Sequence, residues 1–344
     1  MAASIADVAE YAGVSTATVS RVLAEKPHVS ERTRQRVLKA VHELNYQPNR
    51  TARRLRSQAS DVLGLIVSDI QNPYFTSVAR GVEDFAFSKR MNVLLCNTDE
   101  DVDRERIYLN LMRAEGVAGF IMSPAHNLHN RVLLQEIRQA GQAIVLLDRQ
   151  YVGFDCDTVL VDNVKGTRLA IDHFVELGYT KIAMIGGEAY ITSGRERHEG
   201  FHRAIAANNL VLYSEFVKVG NFRRESGYNL AQELIKLPNP PEAIFVANNQ
   251  MLLGVLSALR EAQIRIPQDI AIIGFDDTPW ANEVTPPITV VAQPTYKLGR
   301  EALRLLRRRI ETPDSPYIIS RLDTKLIVRE SCGAHLHSPK SSEL

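Results

Sequence analysis

The sequence predicts a small all-α head followed by a larger α/β body of two lobes. Three observations carry that expectation. Residues 1–47 show helical periodicity, and from Val62 onward short apolar runs alternate with amphipathic segments. The chain has 344 residues, more than twice a domain of about 150 residues. Its 45% hydrophobic and 24% charged residues are those of a folded globular protein.

The head comes first. In SIADVAEYAGVSTATVSRVLAE, Ile5, Val8, Ala9 and Ala12 mark one helix face and Gly13 permits a tight turn. Ser15 can cap a second helix whose inner face is Val19, Val22 and Leu23. A third helix is expected from the cap Ser30 through Val37, Leu38, Val41 and Leu44, closing a small core. Two short helices around a Gly-containing turn make a helix-turn-helix pattern. The outer face of the second helix presents Thr16, Ala17, Ser20 and Arg21, side chains suited to lie against base edges in a major groove. Residues 1–60 hold ten Lys/Arg and five Asp/Glu, whereas the remainder holds 31 and 35, so a basic head sits on a mildly acidic body. Periodicity alone leaves a three-helix protein-binding module equally open.

After Tyr46 comes QPNRTARRLRSQAS. Pro48 disfavours continuation of the third helix, and Asn49 can cap a short helix over Arg50–Arg56. Leu55 is its one large apolar side chain, among Arg50, Arg53, Arg54 and Arg56, and a charged linker is the alternative. The segment VAEYAGVS-x-x-TVSRVL closely resembles the headpiece of the lac repressor family of bacterial regulators, and the resemblance extends over essentially the whole chain. It implies base reading by Thr16, Ala17 and Arg21, with Ser20 on the same face and Ser15 and Thr18 at phosphates. Ala17 offers only apolar contact, leaving Arg21 more of the hydrogen-bonded readout. It also implies a hinge helix in which Asn49, Arg50, Ala52, Arg53 and Leu55 meet DNA, Leu55 as a minor-groove wedge. The family usually has a small residue where Arg54 stands.

In the body, VLGLIV, NVLLC, GFIM, AIVLL, DTVLV, KIAMIG, AIFVA and IAIIGF read as strands. Segments 101–115, 164–177, 224–236 and 250–262 read as helices between them. Such alternation implies parallel sheets covered on both faces, and there are too many units for one sheet. The whole resembles the periplasmic-binding-protein-like (type I) fold, with a ligand between lobes at the carboxyl ends of strands. The expected boundaries are a headpiece at 1–47, a hinge helix and linker at 48–60, and a sugar-binding and dimerisation body at 61–330. Its N-lobe is placed at 61–161 and 288–318, its C-lobe at 162–287 and 319–330, and a flexible tail at 331–344.

Polar and aromatic residues collect at strand ends: Asn72, Tyr74, Phe75, Asp148, Arg149, Phe222, Asn248, Asp276 and Gln293, with Asp162-Asn163 at a lobe crossing. Arg197 joins them from SGRERHEGF, where the S-x-x-E spacing of Ser193 and Glu196 predicts a capping box and a helix start at Gly194. On that helix Arg197 shares the face of Phe201, Ala204 and Ile205, while Arg195 points to solvent. Aromatic rings suit the apolar faces of a pyranose, and carboxylates, amides and guanidiniums suit its hydroxyl rim. Singly, each residue has a plain structural role open to it, as a cap, a core ring or a surface ion pair. NPYF, LLDRQ, SGRERHEGF, GFDDTP and AQP resemble ribose-binding proteins. That resemblance maps ligand contacts to Asn72, Tyr74, Phe75, Asp148, Arg149, Arg197, Phe222, Asn248, Asp276 and Gln293. Asn249 stands where aspartate is common.

An enzyme is not expected. The first strand is followed by SDIQNPYF without glycine, Gly186-Gly187 lacks the rest of a dinucleotide fingerprint, and no P-loop, H-E-x-x-H or G-x-S-x-G is present. No cofactor or metal site is indicated, and His335 and His337 sit in a polar tail. Cys96, Cys156 and Cys332 show no disulfide spacing, the N-terminus carries acids where a signal peptide would be basic, and no run spans a bilayer. The expected location is cytoplasmic, at the nucleoid, with no membrane partner. The resemblance thus implies a transcriptional repressor of sugar genes that binds a pseudo-palindromic operator and answers to ribose or a similar monosaccharide. A purine, polyol, cyclitol or phosphorylated sugar, acting also as co-repressor, is the alternative. The ending SCGAHLHSPKSSEL has no leucine heptad of the kind that tetramers of this family use, so a homodimer is expected.

Overall fold

The structure, a computed structural model, describes residues 3–23, 27, 29–46, 60–125 and 129–337. It divides into two units, residues 1–60 and 61–344. The expected hinge contacts Asn49, Arg50, Ala52, Arg53 and Leu55 lie outside the described residues.

The head contains α1 (Ile5–Ala12), α2 (Thr16–Leu23) and α3 (Glu31–Glu43). Ser4 and Asp7 cap α1 reciprocally, and Gly13 closes it in the left-handed conformation at φ 59°. Ser15 and Ser30 cap the next two helices as their sequences predict, accepting from the amides of Thr18 and Thr33. Val8, Ala9, Ala12, Val19, Val22, Val37 and Ala40 form the buried core. Leu38 does not join it and is 49% exposed. One residue on from Val37, it is rotated by about 100° to the outer face, and Ala40 fills the inner position. The guanidinium of Arg36 donates to the carbonyls of Ala12 and Gly13, tying α3 to the turn between α1 and α2.

The body runs β1 (Val62–Val67), α4 (Pro73–Ser88), β2 (Asn92–Asn97), α5 (Val102–Ala114), β3 (Gly119–Met122), α6 (Arg131–Gln139), β4 (Ala143–Leu147) and β5 (Asp157–Val161). It continues through α7 (Asn163–Glu176), β6 (Ile182–Gly186), α8 (Thr192–Ala207), β7 (Val217–Val219), α9 (Arg224–Ile235), β8 (Ala243–Val246) and α10 (Asn249–Glu261). Then come β9 (Ala271–Phe275), α11 (Trp280–Glu283), β10 (Thr289–Ala292), α12 (Thr295–Glu311), β11 (Ile319–Leu322), β12 (Lys325–Ile327) and α13 (Ala334–His337). The N-lobe sheet has the order β11-β5-β4-β3-β1-β2 and the C-lobe sheet β12-β10-β9-β8-β6-β7. All pairings are parallel except β12 on β10. Most apolar runs legible in the sequence are central strands, buried on both faces as parallel sheets require, whereas NVLLC forms β2, a half-exposed edge.

On the N-lobe, α4 and α12 pack so closely that two glycines are required. A Cβ at Gly81 would lie 2.2 Å from the Tyr296 carbonyl oxygen, and one at Gly299 2.1 Å from that of Val78.

Two segments lie on the other sheet from the one their expected boundaries assign. Residues 289–292 belong to the C-lobe, where β10 pairs with β9, and residues 319–322 belong to the N-lobe, where β11 pairs with β5. Val290 and Val291 are fully buried in the C-lobe, whereas β11 alternates half-buried and exposed residues as an edge strand does. The chain therefore crosses between lobes at 161–163, 292–295 and 322–325. The expected tail also starts later than 331. Ser331 and Cys332 are fully buried, and the Ser331 hydroxyl donates to the Ile272 carbonyl at 2.7 Å and accepts from the Thr289 amide at 2.8 Å.

Candidate functional site

A cavity of about 510 Å³ opens between the two lobes of the body, at the carboxyl ends of β1, β2, β4, β8 and β9. All ten residues expected at a ligand line it: Asn72, Tyr74, Phe75, Asp148, Arg149, Arg197, Phe222, Asn248, Asp276 and Gln293. Parallel strands bring them together, because each strand ends at the same rim and its next residues turn off the sheet into the cleft.

The turns are demanding. Asp148 (φ 66°), Phe222 (φ 63°) and Asp276 (φ 80°) are all left-handed, as are Asp99 and Glu100 at the same rim. Aspartate tolerates that region better than most residues, but a phenylalanine there is strained. The Phe222 ring lies against Gly187, where an added Cβ would come within 1.8 Å of it. Gly187 therefore makes room for Phe222.

Charge in the cleft is buried and mostly paired. Asp148 accepts from the Tyr74 hydroxyl at 3.1 Å and lies 3.4 Å from Arg149 Nε. Arg149 Nη1 and Nη2 donate to Glu100 at 2.6 and 2.7 Å, and Nη1 also donates to the Pro124 carbonyl at 3.0 Å. Burial alone would lower the Arg149 pKa, but Glu100 and Asp148 outweigh it and raise it. Asp276 accepts from Gln293 Nε2 at 2.5 Å, and burial raises its pKa against the opposing pull of Arg197. Burial lowers the pKa of Arg197, which Asp276 and Asp148 partly offset. Burial, then Asp148 and Asp276, lift the Tyr74 phenol well above its ordinary value, so it stays a hydroxyl that donates.

Arg197 is 3% exposed and Arg195 is exposed, as helix phase predicts. Arg197 Nε donates to Asn163 Oδ1 at 2.9 Å, Nη1 donates to the Ala247 carbonyl, and the guanidinium stacks 3.7 Å over the Phe275 ring. The capping box expected beside it is absent. The helix starts at Thr192 after Ile191, with no side-chain cap, and Ser193 lines the cavity inside the first turn. Glu196 is buried and accepts instead from Asn163 Nδ2 and from Arg321. Charge-assisted bonds to a guanidinium outweigh a backbone cap.

Asn72 and Asn248 both cap helices, their Oδ1 atoms accepting from the amides of Tyr74 and Met251. Asn249, where a carboxylate is common, reaches across the cleft and donates to Asn72 Oδ1 at 2.7 Å. Other bonds between the lobes include Gln150 amide to Thr192 Oγ1 at 3.0 Å, Arg223 Nη2 to the Asp99 carbonyl at 3.3 Å, and the Arg321–Glu196 pair.

In the head, Ser15, Thr16, Ala17 and Arg21 are exposed, and Thr18 and Ser20 are half-buried. Thr18 Oγ1 and Ser15 Oγ lie 2.9 Å apart, so these two hydroxyls form one cluster at the start of α2.

Residues 4–49 match the family model described as bacterial regulatory proteins, lacI family, and residues 171–332 match a periplasmic binding protein-like domain. The ribose operon repressor of Halalkalibacterium halodurans is 36% identical over 328 residues, which are 95% of this chain and 96% of that protein. The transcriptional repressor PurR of Mannheimia succiniciproducens is 34% identical over 330 residues, 96% of this chain and 98% of its own length. A lac repressor dimer bound to operator and the anti-inducer ONPF superposes with a TM-score of 0.86 at 27% identity, covering 96% of this chain and 99% of that one.

The chain belongs to the lacI family of bacterial regulatory proteins.

This lacI-family protein is therefore a DNA-binding repressor with a helix-turn-helix head and a two-sheet α/β body, not an enzyme. Among the described residues no helix is long and apolar enough to cross a membrane. Among the lining residues not expected at a ligand, Glu100 bears most on the buried charge, since it pairs with Arg149. Glu100 obeys the strand-end rule that located Asp148, since it follows β2 as Asp148 follows β4. The sequence marks Asn163 and Glu196 for other reasons, a lobe crossing and a capping box, and their link to Arg197 shows only through their partners in space.

Proposed function

We propose that this repressor answers to a neutral monosaccharide, ribose or a close analogue, held between the lobes. The observation that carries the reading is the charge in the cavity. Six carboxylates, Asp69, Asp99, Glu100, Asp148, Glu225 and Asp276, line it against four guanidiniums, Arg149, Arg197, Arg223 and Arg224, and Glu100 already occupies both terminal nitrogens of Arg149. Such a site suits a ligand that both donates and accepts and carries no charge. Carboxylates take pairs of vicinal hydroxyls, Arg197 and the amides of Asn248 and Gln293 complete the rim, and Tyr74, Phe75 and Phe222 offer apolar faces. A phosphorylated sugar would bring about two negative charges into an already acidic pocket. The cavity volume lies within the roughly 300–1,000 Å³ usual for small-molecule sites. The ribose operon repressor at 36% identity supports the same reading.

A purine is the second reading, favoured by the PurR relative and by the three aromatic rings. Calorimetry with ribose, allose, fructose and inositol, beside guanine and hypoxanthine, separates the two. Heat from a purine and from none of the polyols would sink the sugar reading.

On this reading α2 enters the major groove, with Thr16, Ala17 and Arg21 at base edges and Ser15, Thr18 and Ser20 beside them. A homodimer, the state of the lac repressor chain it superposes on, would set two such helices on a pseudo-palindromic operator in the cytoplasm. Sugar would act by changing how the lobes meet, and so how well the head holds DNA. By linkage a ligand that weakens operator binding must bind the operator complex less tightly, and a co-repressor more tightly.

A further inference from the structure

We propose that Glu196 is a positioning residue that aims Arg197 at the ligand through the amide of Asn163, and ties that aim to the crossing between the lobes. The proposal rests on the cleft being the effector site.

The geometry forms a directed chain. Arg321 lies on β11, in the N-lobe sheet, and its Nη1 and Nη2 donate to Glu196 Oε2 and Oε1 at 3.1 and 2.8 Å. Glu196 lies on α8, in the C-lobe, and Oε2 accepts from Asn163 Nδ2 at 2.9 Å. Asn163 follows the first crossing, and its Oδ1 accepts from Arg197 Nε at 2.9 Å. The amide has one workable orientation. Turned over, it would set its NH₂ against a guanidinium and its oxygen against a carboxylate, two repulsive pairs in a buried site. Glu196 therefore fixes which way Asn163 faces, and Asn163 fixes the plane of Arg197.

That plane decides what Arg197 can offer. Nε is held by Asn163 and Nη1 by the Ala247 carbonyl, with the flat face on Phe275, so Nη2 is the nitrogen left for the cavity that Arg197 lines. Glu196 is buried, yet its charge is met by Arg321 rather than by Arg197. Its effect on Arg197 is orientation, carried by a neutral amide. Because Arg321 and Glu196 belong to different lobes, any change in how the lobes meet pulls on the chain that aims Arg197.

The test is a charge relocation. Glu196→Gln keeps the shape but leaves one neutral oxygen for Arg321 and Asn163 to share and sets an NH₂ in place of the other, so the charged acceptor that orients Asn163 is lost. Asn163→Asp puts a second carboxylate against Glu196. The double variant restores a consistent chain: the amide introduced at position 196 donates to the carboxylate introduced at position 163, and that carboxylate accepts from Arg197 Nε. Two readouts apply. The Arg197 Nε–H signal in ¹H–¹⁵N spectra of ligand-free protein, assigned through Arg197→Lys, reports the Nε bond itself. It should broaden or move in each single variant and return in the double. Ribose calorimetry should show each single variant about tenfold weaker, the loss of one charge-assisted bond, and the double recovering most of it. An Nε–H signal unchanged in Glu196→Gln, or a double variant no better than the singles, overturns the proposal. If wild-type protein gives heat with hypoxanthine and none with ribose, the sugar reading fails. The relay is then judged by the Nε–H signal and by hypoxanthine affinity across the same variants.

Discussion

Replacing Arg197 tests the cleft most directly. The side chain makes two bonds to protein, to Asn163 and Ala247, and on the proposed reading its Nη2 is the nitrogen that meets the sugar. A hydrogen bond to a charged group is worth about 1.5–3 kcal/mol, and 1.4 kcal/mol is about tenfold in affinity. Losing the one ligand bond should therefore weaken ribose binding roughly 10- to 150-fold. A second effect follows from electrostatics. Arg197 opposes the burial that raises the Asp276 pKa, so without it Asp276 holds its proton to higher pH and accepts less well. The residual affinity of Arg197→Ala should accordingly rise as pH is raised. Removing the guanidinium also leaves two buried acceptors without their donor, each costing about 1–3 kcal/mol, so urea unfolding comes first. Arg197→Lys is the companion variant. It retains a cation and a donor but not the planar fork, and should fold well while binding ribose more weakly than wild type. Calorimetry at two pH values and gel shifts on the operator, with and without ribose, read all of this. Operator binding should survive in both variants while the response to sugar fades. Wild-type ribose affinity in Arg197→Ala would refute the reasoning.

Arg21→Ala should cost about 1–3 kcal/mol of specific operator affinity with much smaller loss on random DNA; equal losses on both would make Arg21 a phosphate contact. Gly187→Ala places a Cβ 1.8 Å from the Phe222 ring and should push the ring from its place, weakening ribose binding about fivefold or more, the equivalent of ~1 kcal/mol. Unchanged affinity would remove Phe222 from the site. Glu105 is fully buried, accepting from Tyr151, from the Ala125 amide at 2.6 Å and from Asn130 at 2.7 Å, and burial raises its pKa above the ordinary 4.5. The folded protein thus holds that proton to higher pH than the unfolded chain, and Glu105's contribution to stability falls as pH rises upward from about 4.5. Glu105→Gln should flatten the part of the urea-midpoint profile above about pH 4.5; a slope identical to wild type would contradict the burial argument.

What could be read in advance follows from where each signal resides. The central strands are long apolar runs because both faces of a parallel sheet are buried, and VLGLIV or AIVLL needs no partner to be recognised. Three of the four edges, β7, β11 and β12, are short and half-exposed, VKV, ISRL and KLI, and nothing local marks them as strands, whereas the fourth, β2, is legible from its apolar run NVLLC. Missing β11 moved a lobe boundary. At the site, the rule that ligands lie beyond strand ends located Asn72, Asp148, Asn248 and Asp276 without a structure. The same rule covers Glu100, but the acidic run TDEDVDRER hides it among residues of a solvated helix start. Ser193 and Glu196 show the opposite failure. A spacing that fits a capping box also fits a buried carboxylate with a partner 125 residues away, and only the fold chooses. The left-handed Phe222 is illegible for another reason, since phenylalanine carries no turn signal.

The two arginines Arg149 and Arg197 show how one residue type is put to different uses in the cleft. Arg149 has its terminal nitrogens closed off by Glu100 and Pro124, so it serves as a neutralised wall that holds Asp148 in place. Arg197 is aimed by a neutral amide and a carbonyl, so its charge is not quenched by a contacting carboxylate and its last nitrogen remains a strong donor. An anionic ligand seated between them would meet the acceptor carboxylates Asp148 and Asp276 and the open edge of Arg197. A polyol would meet acceptors and donors in the proportion its hydroxyls supply. On the proposed reading, discrimination against phosphorylated sugars comes less from which residues are present than from the pairing of Arg149 with Glu100. Of these two guanidiniums, the one with an open edge is also the one linked, through Asn163 and Glu196, to the place where the lobes join.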